Sequence, residues 1–147
     1  MIYLVDTNVL LRVADRRNPQ HEIARTAVRK LKQDQHQLQV LPQNCVEFWN
    51  VMTRPLEKNG LGLTPIEADR LLCLIERLFP VCSDPPTLYS EWRRLVVTFQ
   101  VSGVQVHDAR LVAAMKVIGM THILTFNTKD FTRYAQEKIV PVHPATV

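Results

Sequence analysis

The chain has 147 residues and a mass of 16.9 kDa, the size of one ordinary domain. With 46% hydrophobic and 22% charged residues it is too apolar to stay disordered and apolar enough to build one core. Eighteen basic against 14 acidic residues give a formal net charge of +4, a mild bias that suits a polyanionic partner without requiring one.

No apolar run approaches the ~20 residues that span a bilayer. The start Met1-Ile2-Tyr3-Leu4-Val5-Asp6 lacks a basic segment and meets an acid at once, so neither a membrane span nor a signal peptide is expected. Cys45, Cys73 and Cys82 are odd in number and lack C-x-x-C spacing. A disulfide framework and a structural zinc site are therefore disfavoured, and a reducing, cytoplasmic setting is expected.

Taken in order, Ile2 to Val5 is a short apolar run that reads as a buried strand. Thr7 or Asn8 is placed to cap a helix through Val9, Leu10, Leu11 and Val13. A second helix is expected over His21 to Gln33, with Ile23, Ala27, Val28 and Leu31 on one face. Leu38 to Leu41 reads as a strand stopped by Pro42, and Cys45 to Thr53 as a helix ending before Pro55. Thr64-Pro65-Ile66-Glu67 combines a capping box with proline at the first helical position, opening a helix through Leu71, Leu72, Ile75 and Leu78. Val81-Cys82 suggests a brief strand, and Pro85-Pro86-Thr87 opens a helix carrying Leu88, Trp92, Leu95 and Phe99 inward. His107-Asp108 introduces a further helix that Gly119 is suited to end. His122 to Phe126 reads as a strand, Thr128 to Tyr134 as a loop or short helix, and Ile139 to Val142 as a last strand.

No repeat, low-complexity tract or linker interrupts residues 1–147, so one domain is expected. Strands alternating with helices imply an α/β fold with a mainly parallel sheet. Ligands of such sheets sit beyond the C-terminal strand ends.

At those ends stand acids. Asp6 follows the first strand, Glu47 lies in the helix after the second, Asp108 marks the entry to a late helix, and Asp130 with Asn127 follows the strand ending at Phe126. Singly, each has an ordinary explanation as a helix cap, first-turn acid or turn residue. Together they need another, because two carboxylates ~5 Å apart repel by about 3 kcal/mol at an effective dielectric near 20. Protons or a cation must neutralise such a cluster. Oxygen ligands of this kind suit Mg²⁺ or Mn²⁺, which points to phosphodiester hydrolysis without a covalent intermediate.

At these residues the sequence resembles the PIN-domain ribonucleases, specifically VapC-type toxins of bacterial toxin–antitoxin pairs. Leu4-Val5-Asp6-Thr7-Asn8-Val9-Leu10 is similar to the family's first motif. Glu47 matches its second acid, and His107-Asp108-Ala109 its third. Ile123-Leu124-Thr125-Phe126-Asn127-Thr128-Lys129-Asp130-Phe131 is similar to its late strand and following loop. The resemblance implies a PIN-like α/β/α sandwich and a Mg²⁺- or Mn²⁺-dependent endoribonuclease. Asp6 and Asp108 would be the principal metal ligands, and Glu47 would bind metal or orient the attacking water. Thr7 and Asn8 would support Asp6, and Asp130, with Asn127 nearby, would be the fourth acid. It further implies a homodimer, a cognate antitoxin, and an RNA substrate such as transfer or ribosomal RNA.

Other residues read as scaffolding. Arg12, Arg16, Arg17 and Arg54 suit a solvated basic face better than phosphate contacts, whereas Lys129 and Arg133 neighbour the acids. Trp49, Trp92 and Phe99 read as core rather than as base-stacking platforms. The leucine-rich helix bearing Leu71, Leu72, Ile75 and Leu78 reads as core first, with a dimer or antitoxin contact as the second reading of its excess leucine. Two rival functions stand beside the nuclease: a PIN-like module that binds RNA or protein without cutting, and a haloacid-dehalogenase-type phosphatase. The phosphatase wants a second aspartate two residues after the first, where this chain has Asn8.

Overall fold

A computed structural model describes all 147 residues. Ten regular elements follow one another: β1 (Ile2–Val5), α1 (Thr7–Ala14), α2 (His21–Gln33), β2 (Gln37–Gln39), α3 (Pro42–Thr53), α4 (Pro65–Leu78), α5 (Leu88–Thr98), α6 (Gln105–Ile118), β3 (His122–Leu124) and β4 (Val140–Val142). A 3₁₀ segment, Thr128–Glu137, joins the last two strands. No helix is long and apolar enough to cross a membrane.

The strands lie in the order β2-β1-β3-β4, and all three pairings are parallel. Every strand-to-strand connection carries helical turns, as parallel pairing requires. A single parallel bridge from Val40 to Val81 extends the sheet beyond β2. β1 is central, and its side chains alternate between two cores. Tyr3 and Val5 enter one core with Val28, Phe48, Met52 and Ile75, whereas Leu4 enters the other with Leu95, Val112 and Met115. Helices α1 to α4 therefore cover one face of the sheet, and α5, α6 and the 3₁₀ segment cover the other. The α/β/α sandwich expected from the sequence is the fold observed.

Burial explains why α6 is hard to read as amphipathic. Ala109 and the run Leu111 to Met115 are all buried, so the helix is enclosed around most of its circumference. Its end is as expected, with Gly119 at φ +91° receiving the chain. Thr64 likewise caps α4, its hydroxyl accepting the Glu67 N–H at 3.2 Å.

Several boundaries differ from the sequence reading. α3 begins at Pro42, not Cys45, because the proline occupies its first turn and does not merely end a strand. β2 is shorter and earlier than expected, with Val40 bridging instead to Val81. β3 stops at Leu124 and β4 starts at Val140, and α5 starts at Leu88. The cap of α1 is Asp6, not Thr7 or Asn8. α6 starts at Gln105 without a side-chain cap, which puts Asp108 inside its first turn. Trp49, Trp92 and Phe99 are only half-buried.

Candidate active site

Asp6 is 7% exposed at the C-terminal end of the central strand. Its Oδ1 accepts the Thr7 N–H at 2.8 Å, the bond by which it caps α1. Its Oδ2 accepts the Thr125 hydroxyl at 2.8 Å and Asn8 Nδ2 at 3.2 Å. Asn8 is fixed in turn, because its Oδ1 accepts the Phe126 N–H at 3.0 Å while its Nδ2 also reaches Thr125 Oγ1 at 3.1 Å. The capping role and a role in the acidic site thus coexist in one side chain.

Glu47 is held from both sides. Thr7 Oγ1 donates to its Oε2 at 2.7 Å, and Gln43 Nε2 donates to its Oε1 at 2.9 Å. Both donors have fixed sense. Asn44 Oδ1 accepts the Leu41 N–H, so its Nδ2 faces the Thr7 hydroxyl and turns that proton toward Glu47. Gln43 Oε1 accepts from Arg110 Nη1 at 2.9 Å, which leaves its amide nitrogen for Glu47 and for the His107 carbonyl. Arg110 completes the line with an ion pair to Asp84 at 3.1 Å. Thr125, Asn44, Gln43 and Arg110 were not among the site residues expected from sequence.

Asp108 projects from the first turn of α6, half-buried, and no protein group donates to its carboxylate. Burial pushes its pKa up to about 7, and the negative charges of Asp6, Asp130 and Glu47 add to that rise, while Arg133 opposes it. Asp6 is raised to about 6, chiefly by burial and despite its Thr125 and Thr7 bonds, with Glu47 and Asp130 adding repulsion. The fold therefore brings the four predicted acids into one electrostatic neighbourhood. Asp130 is exposed, opening the 3₁₀ segment, and Asn127 before it contributes backbone to the site: its N–H donates to Thr125 Oγ1 and its carbonyl accepts the Asp130 N–H.

Arg12 has a local role. Its guanidinium lies 4.8 Å over the Phe126 ring and donates to the Asn8 carbonyl and to Gln20. Arg54 donates to the Asn59 carbonyl.

The chemistry of the donor set fits a hard divalent cation. All candidate donor atoms are oxygens, Asp6 Oδ1 keeps one lone pair free, and a cation offsets the burial of charge, and with it the mutual repulsion, that raises Asp6 and Asp108. The spacing is looser than a closed cage, since no three His, Cys, Asp or Glu side chains are grouped tightly enough to hold an ion.

A family model described as PIN domain matches residues 3–137. VapBC2 of Rickettsia felis, solved bound to a DNA fragment from its promoter, has the same fold at TM-score 0.73 and 12% identity, over 97% of this chain and 98% of that one. FitAcB of Neisseria gonorrhoeae gives 0.69 at 18% identity, over the whole of both chains (100% and 100%). VapC20 of Mycobacterium tuberculosis, a sarcin–ricin-loop-cleaving toxin, gives 0.60 at 16% identity, over 84% of this chain and 87% of that one. These are likenesses of fold. No curated protein matches the sequence significantly.

Proposed function

The chain belongs to the PIN-domain family, and from that premise we propose that it is a Mg²⁺- or Mn²⁺-dependent endoribonuclease, a toxin of the VapC type held in check by a cognate antitoxin. The observation that carries this reading is the coupling of Asp6 and Asp108, two carboxyls pushed to about 6 and about 7 by burial and by their acidic neighbours. Such a site binds protons or cations, and near neutral pH the protons leave.

Asp6 and Asp108 are the residues fitted to hold the ion, with Glu47 beside them. When bound, the ion lowers the pKa of a coordinated water and stabilises charge building on phosphorus. The remaining work falls to the chain. Thr125, Asn8 and the Thr7 N–H fix the Asp6 carboxylate, so that its free Oδ1 lone pair has one direction. Thr7 and Gln43 fix Glu47, whose remaining lone pairs are suited to accept a proton of the attacking water and so aim its oxygen. Asp130 adds charge at the rim, and Arg133 and Lys129 flank it as cations for neighbouring phosphates.

An antitoxin has a surface to fit. Between α2 and α4 runs a groove of about 1280 Å³, floored by Val28, Leu71 and Leu78 and rimmed by Arg25, Arg29 and Arg70. Leu74 of the same helix, which the sequence reading does not single out, is left 40% exposed there. An apolar helix with acidic flanks suits this groove. By the same family reading the toxin forms a homodimer, acts on a structured RNA such as transfer or ribosomal RNA, and works in the cytoplasm.

The loose spacing of the acids favours one alternative, a PIN-like module that binds RNA or protein without cutting. One experiment separates the two. Purified protein is incubated with total cellular RNA in Mg²⁺, Mn²⁺ or EDTA, beside Asp6→Asn and Asp108→Asn. Discrete fragments that require metal and both aspartates are expected. Metal-dependent cleavage retained by both variants would overturn the nuclease assignment, and intact RNA with no Mn²⁺ binding by calorimetry would favour the binding module.

A further inference from the structure

A second concavity, about 490 Å³, is walled by Pro85, Pro86, Tyr89 and Trp92, with Asp84 and Arg110 as its polar end wall. We propose that this cleft seats an unpaired nucleobase of the RNA substrate, adjacent to the linkage that is cut. The proposal rests on the ribonuclease reading and adds a determinant of which RNA is chosen.

The cleft is joined to the site by direct bonds. Arg110 Nη1 donates to Gln43 Oε1, and Gln43 Nε2 donates to Glu47. A group bound against Arg110 is thus two hydrogen-bonded links from a site carboxylate. The walls suit a flat aromatic ligand. Trp92 spends its only N–H on the Val106 carbonyl at 2.9 Å, so the indole is held in place and keeps no hydrogen-bond donor for a ligand. Tyr89 is 69% exposed, and its ring forms a tilted pair with that of Trp92, centroids 6.0 Å apart at 35°, so that a base has no room between the rings and would stack on the open Tyr89 ring. Stacking on such faces accepts any base, because every base has a π-face.

The end wall adds selectivity. Asp84 offers acceptors and Arg110 donors side by side, both partly exposed. The Watson–Crick edge of an unpaired base presents donors and acceptors next to each other, the edge that proteins read in single-stranded RNA. A phosphate fits this wall poorly, since Asp84 repels it. Tyrosine, tryptophan and arginine also mark protein contacts, but the concave shape and the hydrogen-bonded path to Glu47 favour a base.

The test is a coupling measurement on a cleavage-blocked chain, Asp108→Asn, titrated into fluorescein-labelled single-stranded RNA and followed by anisotropy. An oligonucleotide from the cleaved region is made with one abasic position at a time. One abasic position is expected to weaken binding about tenfold. Tyr89→Ala is expected to weaken the intact oligonucleotide by a similar factor and to be insensitive to that same abasic position. Additive losses, or no loss from Tyr89→Ala while RNA still binds, would overturn the cleft as a base site and leave the nuclease intact. Dissociation of a protein dimer by Tyr89→Ala in sedimentation, with RNA affinity unchanged, would also overturn it and assign the surface to a protein contact. Failure of the Asp108→Asn chain to bind any RNA, together with failure of the wild type to cleave, would remove the proposal along with the reading it rests on.

Discussion

Thr125 Oγ1 donates to Asp6 Oδ2 at 2.8 Å, and the neighbours of that hydroxyl leave its proton no other direction. The oxygen accepts the Asn127 N–H at 3.0 Å and Asn8 Nδ2 at 3.1 Å, and both are donors that cannot reverse. One buried hydroxyl therefore joins the end of β3 to the end of β1 and orients the first acid of the site.

From this follows a prediction for Thr125→Val, which matches the shape and removes the hydroxyl. Asn8 Nδ2 and the Asn127 N–H would lose their shared acceptor and Asp6 a donor, in a residue that is fully buried. Loss of stability of about 1–3 kcal/mol is expected, with RNA cleavage falling further than the folded fraction explains. Thr125→Ser should recover most of both. Urea unfolding and initial cleavage rates of the two variants check this.

How much of this was legible in the sequence depends on where each partner sits. Asp6, Asp108 and Asp130 stand where a strand ends or a helix begins, positions that local pattern reveals, whereas Glu47 lies a turn further into α3 and rests on the family resemblance. Their supports were not legible. Thr125 meets Asp6 across 119 positions, Arg110 meets Gln43 across 67, and Asn44 meets Thr7 across 37. Those pairings depend on sheet register and on the seating of α3 and α6, which one unaligned sequence does not contain. A polar residue between Leu124 and Phe126 at a buried strand end was the one available sign of Thr125. The α3 boundary is ambiguous in the sequence for a local reason, since Pro42 both ends an extended run and begins a helix.

Glu47→Gln is predicted to be far from conservative. Both Glu47 oxygens face donors whose sense is fixed by Asn44 and Arg110. A glutamine amide would turn its NH₂ either at the Thr7 hydroxyl or at Gln43 Nε2, setting donor against donor. We expect a stability loss of about 1–2 kcal/mol together with loss of cleavage. Thermal unfolding and initial cleavage rates of the wild type and the variant decide the matter.

Removing charge should act differently at the two raised aspartates. Asp108 receives no protein hydrogen bond, and burial and repulsion push its carboxyl to about 7. Asp108→Asn is therefore predicted to raise the melting temperature of the metal-free protein at pH 7.5. Asp6→Asn gains from the same relief, but its new NH₂ must face at least one of the donors Thr7 N–H, Asn8 Nδ2 and Thr125 Oγ1. Its melting temperature should rise less or fall. A greater rise for Asp6→Asn than for Asp108→Asn, seen by calorimetric scanning, would contradict the bonding described for Asp6.

The pH dependence of the metal-free protein has a definite sign. Asp6 and Asp108 both titrate above the ordinary value of 3.8, at about 6 and about 7. Between that ordinary value and the raised one the folded state holds more protons than the unfolded state, so stability falls as pH rises. For Asp6 alone the loss is on the order of 3 kcal/mol once pH exceeds about 6. In EDTA the melting temperature is expected to decline from pH 5 to pH 8. Mn²⁺ should reverse the decline at pH 8 and do little at pH 5, where protons occupy the carboxylates it needs. At pH 6.5, Mn²⁺ binding should release protons, and calorimetry in two buffers of different ionisation enthalpy reads that release directly. A buffer-independent heat at pH 6.5, or equal stabilisation by Mn²⁺ at pH 5 and pH 8, would separate the metal from these two aspartates.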